Sequence, residues 1–96
     1  MSTRTLPARY DEMTWQERRE VRLAYVQSQE GNCHHCRASL DGEPTPEVMR
    51  KRINWRLFPA NFLKHPVHLH HSHATGLTIG AVHSRCNAVL WQYHGE

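Results

Sequence analysis

Residues 68–73 read His-Leu-His-His-Ser-His, four imidazoles in six positions. Imidazole binds transition metals, moves protons near neutral pH and senses pH. A structural role needs one or two rings, so a run this dense points to metal or proton chemistry. A second group of such residues is split in two. Cys33-His34-His35-Cys36 is a Cys-x-x-Cys knuckle, and His83-Ser84-Arg85-Cys86 contains a His-x-x-Cys pair. Two ligands from each of two turns make the tetrahedral set of a structural zinc, here three thiolates and one imidazole. His34 and His35 are alternative fourth ligands, poorly placed inside the knuckle. Incidental thiols or a redox pair are the competing reading of the cysteines. In a small chain the binding energy of such an ion becomes folding energy.

The 96 residues allow one domain and a modest core, to which a metal staple would add. An odd cysteine count, three, argues against a closed disulfide framework. The formal charge is +3, but unevenly spread: between Glu47 and Glu96 there is no acid, while Arg50, Lys51, Arg52, Arg56, Lys64 and Arg85 fall there. An acid-free basic half suits a polyanionic partner such as DNA. A solvated basic face is the plainer alternative. No apolar run is long enough to span a membrane, and Met1–Tyr10 has no apolar core of the signal-peptide kind. The expected setting is the cytoplasm, with no membrane partner.

The elements that must position these groups follow from local signals. Residues 1–13 read as a flexible lead-in to a single domain over 14–96. Thr14-Trp15-Gln16-Glu17 is a capping box that starts a helix ending near Glu30, with Gly31 as the stop. Thr45-Pro46-Glu47 starts a second helix, with Arg50, Lys51, Arg52 and Arg56 on its basic side and Phe58-Pro59 at its end. From Val67 to Ser72 the alternation points Val67 and Leu69 one way and His68 and His70 the other, which means strand. Ala74-Thr75-Gly76 is a turn, Leu77–Val82 the second strand of a hairpin, and Ser84–Tyr93 a last helix. Gly80 weakens its strand or admits a close backbone approach. His68 reads as exposed, His65 as structural, and His94 as a helix C-terminal charge. Trp91 and Tyr93 read as core or packing residues.

His70-His71-Ser72-His73-Ala74-Thr75-Gly76, followed by Gly80-Ala81-Val82-His83-Ser84-Arg85-Cys86-Asn87, resembles the HNH nucleases with a ββα-metal core. The likeness is greatest to the phage recombination endonuclease VII branch and to small phage HNH endonucleases. It covers the knuckle and residues 67–94, a third of the chain. That branch reads Asp-His-Asp-His, then Thr-Gly, Gly, and Cys-x-x-Cys-Asn. The implied fold is α+β, a small treble-clef-like ββα-metal core with a zinc knuckle, preceded by one or two helices. The resemblance implies that His71 is the general base, that His70 and Asn87 hold one catalytic divalent ion, and that His73 supports metal or phosphate. It places His83 where the branch has a zinc cysteine. Histidine at 70 and Ser72 stand where the branch has aspartates, so the ion would be held without a carboxylate. Magnesium, manganese, nickel and zinc are the ions such folds use; imidazole and amide ligands favour the softer ones.

The function expected is metal-dependent cleavage or nicking of DNA in phage DNA processing, with 5′-phosphate and 3′-hydroxyl products implied by the resemblance. The basic second helix, together with Arg85, is expected to hold phosphates. A Holliday-junction resolvase, which would need a homodimer, is one alternative. A non-catalytic zinc module that binds nucleic acid is another, and a histidine-rich metal store a third. A homodimer or a phage packaging or replication protein is the partner class left open. A phage-encoded protein would work in the host cytoplasm.

Overall fold

The computed structural model describes residues 6–95. Helix α1 spans Trp15–Ser28, α2 Pro46–Arg50 and α3 Ser84–His94, and the strands are β1, Val67–His71, and β2, Thr78–His83. Single 3-10 turns lie at Tyr10–Glu12 and Trp55–Leu57. The protein is thus a small α+β fold in which an antiparallel hairpin runs directly into a helix. Among the described residues no helix is long and apolar enough to cross a membrane.

The capping box forms as its residues dictate. The Glu17 amide donates to Thr14 Oγ1 at 3.2 Å, and the Thr14 amide donates to Glu17 Oε1 at 3.0 Å. Helix α1 ends where Glu30 and Gly31 both take positive φ, 56° and 77°. That left-handed pair turns the chain into the knuckle. There the Cys33 amide donates to Ala38 O at 2.8 Å and the Arg37 amide to Cys33 O at 3.0 Å.

The hairpin closes through Ser72, whose amide donates to Leu77 O at 2.9 Å and whose carbonyl accepts from Gly76 at 2.8 Å. Pairing runs in register from Val67–His83 to His70–Gly80, then slips, so that His71 pairs with Thr78. The extra residue is Ile79 of β2, which has no partner on β1, so the irregularity lies in β2 opposite His70 and His71. Gly80 admits a close approach: an added Cβ would stand 2.9 Å from His34 Cβ and 2.8 Å from Gln29 Oε1.

Apolar burial is divided between two clusters. One gathers Cys33, Leu40, Val48, Val82, Cys86 and Val89 around the knuckle and α3. The other joins Ala8, Met13, Val21 and Leu69. The second cluster corrects the reading of 1–13 as a flexible lead-in. Residues 1–5 lie outside the described residues, but 6–13 are packed. The Thr78 amide donates to Ala8 O at 2.8 Å and the Tyr10 amide to Gly76 O at 2.9 Å. The open edge of β2 needs backbone partners, and this segment supplies them. No periodicity in so short a stretch reveals pairing with residues about seventy positions away.

The second helix is also shorter than its signals suggest. It stops at Arg50, and Lys51 is already extended, at φ −71° and ψ 133°. Side chains of α3 take the backbone groups that would continue it. Arg85 Nη2 donates to Met49 O at 3.4 Å and Lys51 O at 3.3 Å. Gln92 Nε2 and Tyr93 Oη both donate to Arg52 O, at 3.0 and 2.7 Å, and Gln92 Oε1 accepts from the Asn54 amide at 2.9 Å. Trp91 and Tyr93 are not core residues: 42% and 46% of their surfaces stay exposed. They pack instead, Trp91 edge-on to Phe58 at 5.6 Å and Tyr93 through Arg52.

Candidate functional site

Two constellations assemble at opposite ends of the hairpin. At the first, the ligand atoms of Cys33, Cys36, His83 and Cys86 all lie within 4.8 Å of one another. His83 Nδ1 is 3.5 Å from Cys36 Sγ and 3.6 Å from Cys86 Sγ. A tetrahedral ion with metal–sulfur bonds of about 2.3 Å and metal–nitrogen bonds of about 2.0 Å sets such edges near ~3.6 Å. The spacing therefore fits, and the cluster can hold a structural metal ion such as zinc. The knuckle histidines do not compete. The His34 amide donates to Ala81 O at 2.9 Å, docking the knuckle on β2, and the His35 ring leans toward His94, 6.3 Å away.

The surroundings of the four ligands are those of a closed site. His83 Nε2 lies 2.8 Å from Ser39 O, which fixes the ring so that Nδ1 faces the sulfurs. The His35 amide donates to Cys33 Sγ at 3.4 Å. Hydrogen bonding from Cys86, with further help from backbone amides, holds the Cys33 thiol down to about 3. The same bond, together with burial and the neighbouring sulfurs, pushes the Cys86 thiol up. Three sulfurs this close cannot all be thiolates unless a cation joins them.

The second constellation is the histidine run. His70 is buried, and its Nδ1 lies 3.1 Å from Asn87 Oδ1 on α3. Asn87 Nδ2 lies 3.1 Å from His68 Nδ1. His68 is therefore half-buried, not exposed as its sequence suggests. The alternation had placed His68 and His70 on one face, and α3 packs across that face. Burial pushes the His68 imidazole below its usual range.

His71, the next residue along β1, turns the other way. Its ring stacks on Tyr10 at 3.8 Å and 8°, and meets the exposed His73 edge-on at 4.9 Å. Burial lowers the His71 imidazole from its usual value, and the fields of His73 and His70 add to this, while Asp11 opposes them. The ring is thus held neutral near neutral pH, with a lone pair to accept a proton.

Two cavities flank the run. The larger, about 830 Å³, has Arg18, Arg19 and Arg22 of α1 along one wall and His68, His71 and Asn87 at its floor. Arg18 is anchored by two bonds to Tyr10 O, at 3.1 and 2.9 Å, and lies 3.9 Å over the Tyr10 ring. The smaller, about 310 Å³, is walled by Leu57, Phe58 and Trp91 and floored by His70, His71 and Asn87.

No family model matches the chain, and no curated protein and no solved structure matches it. The functional reading therefore stands on the geometry of the site and on the resemblance carried by its motifs.

The structure brings His70, His71, His73 and Asn87 to one place. It does not bring the expected phosphate face there. Arg50, Lys51, Arg52 and Arg56 are exposed, and none of them lines either cavity. Lys51 instead lies 4.9 Å over the Tyr93 ring. Arg85 is turned inward onto Met49 O and Lys51 O, with Trp55 5.8 Å from its guanidinium. The cations beside the histidines are those of α1, which the sequence reading passed over. Their spacing along α1 is the one available signal: positions 18 and 22 share a helix face.

Proposed function

We propose that the protein is a metal-dependent endonuclease of the ββα-metal (HNH) kind that hydrolyses DNA phosphodiester bonds in phage DNA processing. A structural zinc at Cys33, Cys36, His83 and Cys86 ties the end of α1 to the start of α3. The observation that carries the reading is the placement of two adjacent strand residues: His70 faces Asn87 of α3, and His71 lies half-buried beside a cleft lined with arginines.

His70 Nδ1 and Asn87 Oδ1, 3.1 Å apart, would together hold one divalent ion. Such an ion supplies charge neutralisation at the phosphate and Lewis-acid help for the leaving oxygen. With no carboxylate among these donors, manganese, nickel or zinc suits the site better than magnesium. His71 takes a proton from water onto its ring nitrogen, and the hydroxide attacks phosphorus as the bond from phosphorus to the 3′ oxygen breaks; that oxygen takes a proton from solvent water, leaving a 5′-phosphate and a 3′-hydroxyl end. Tyr10 holds the His71 ring in place by stacking. His73 is near enough to support phosphate.

The test is nicking of supercoiled plasmid by the zinc-loaded chain with added manganese, nickel, zinc or magnesium, against EDTA. The expected result is cutting only with a divalent ion, and nicks that DNA ligase seals directly. Binding without cutting under every ion would sink the nuclease reading. The Asn87 bridge between His68 and His70 favours one second reading, a non-catalytic nucleic-acid module whose polar network is structural. That reading predicts the binding-only outcome.

A further inference from the structure

The two walls of the histidine cleft differ in kind. The α1 side presents Arg19 and Arg22 beside the exposed Trp15 and is lined by no carboxylate. The opposite side presents Leu57, Phe58 and Trp91 and is lined by no lysine or arginine. His71, Asn87 and Phe62 border both cavities, so the two meet at the groups proposed to do the chemistry. Leu57 and Trp91 keep 47% and 42% of their surfaces exposed.

A duplex would make poor use of this arrangement. It carries a phosphate about every 1.7 Å of helix axis, counting both strands, and keeps its bases stacked inside. It would meet charge on one side of the cleft only and leave the apolar socket facing its phosphates. A strand with an unpaired nucleotide differs. Its single phosphate track follows a cationic groove, and its free base offers a face that stacks on aromatic side chains. The apolar socket, about 310 Å³, lies at the small end of the ~300–1,000 Å³ range for ligand pockets. That suits one planar ring system and not a peptide.

We infer that the apolar socket of Leu57, Phe58 and Trp91 seats one unpaired nucleobase next to the scissile phosphate, while Arg19 and Arg22 hold the phosphates on the other side. The substrate class is then DNA with an unpaired nucleotide at the cut. This rests on the nuclease reading and narrows it.

The test measures binding by fluorescence anisotropy, using the full zinc-loaded chain without a further ion. The probes are a short duplex, the same duplex with one bulged nucleotide, and a single strand of the same sequence. The bulged duplex and the single strand are expected to bind about tenfold more tightly than the duplex, the scale of one base stacked on an aromatic side chain. Making the bulged nucleotide abasic removes that excess, and so does Trp91→Ala, with duplex affinity unchanged. Arg22→Glu weakens all the probes together. Equal affinity for the probes overturns the inference, as does an excess that survives both the abasic nucleotide and Trp91→Ala. If sedimentation shows a dimer that Trp91→Ala dissolves while the preference persists, a second copy covers the socket and the inference falls. Cleavage of plain duplex with no preference overturns this inference alone. Binding to none of the probes overturns the nuclease reading with it.

Discussion

The hairpin carries a buried histidine toward each end, and the two are treated differently. His83 and His70 are almost equally buried, 3% and 2% exposed. His83 has its far nitrogen fixed by a backbone carbonyl, Ser39 O at 2.8 Å, and its near one facing sulfurs. His70 reaches Asn87, a side chain shared with His68 and standing on the floor of both cavities. The first arrangement buries three of its four ligands, leaves Cys36 half-buried, and turns every ligand atom toward the others, as a holding site does. The second leaves donor atoms bordering two cavities, with the neighbouring His71 half-buried beside them. A site that stabilises uses its ligands up, whereas a site that reacts keeps some of them in reach of another molecule.

That contrast breaks most visibly at the closed end. Cys86→Ser should cost the metal and with it the fold. A structural zinc in small domains contributes about 10–16 kcal/mol at neutral pH, against a total stability of about 5–15 kcal/mol. Metal analysis and circular dichroism should find the variant metal-free and unfolded. A folded, metal-free variant would remove the basis for calling this end structural.

A smaller loss should follow at Gly80, where the knuckle rests on β2. Gln29 binds Ala81 on both sides there, accepting from its amide and donating to its carbonyl, each at 2.9 Å. The Cβ of Gly80→Ala would push into His34 and Gln29. Overpacking of this kind costs about 1–3 kcal/mol. In a domain of this size each kcal/mol lowers Tm by roughly 4–8 °C. An unchanged melting curve would show that the knuckle is not docked as described.

At the open end, Arg22→Glu should weaken DNA binding and make the salt dependence of log K shallower by about one unit for each phosphate the protein no longer neutralises. Arg56→Glu, on a residue that lines neither cavity, should change less. Equal effects would return the phosphate face to residues 50–56. The smallest effect is expected at Thr14→Ala, which removes the α1 cap for about 1 kcal/mol in a thermal melt and leaves metal content alone.

The closed end was legible because its information is local. Two short pairs at fixed spacing name the ligands, and Thr14 with Glu17 names the start of the helix that leads to them. The open end was legible only in part. His70, His71 and Asn87 came from the motif, but the face of α1 that meets them did not. Arg18, Arg19 and Arg22 alternate with Glu17 and Glu20, which reads as a solvated helix until packing over the hairpin selects one side. The basic second helix was misread because helix signals at Thr45-Pro46-Glu47 are local, while Arg85, Gln92 and Tyr93, which end it, lie 34 to 41 residues beyond the groups they bind. Residues 6–13 were missed for the same reason: their partners on β2 are distant in the chain.

The central claim is that the open histidine cluster reacts and the closed one only holds. The measurement that tests it most directly is metal-dependent plasmid nicking by His71→Ala, made beside its zinc content and its DNA affinity. The account predicts a fall of about 10²–10⁴-fold in nicking rate, the usual contribution of a general base, with zinc retained and DNA still bound. A variant that keeps its zinc, binds DNA and nicks at the wild-type rate would contradict it.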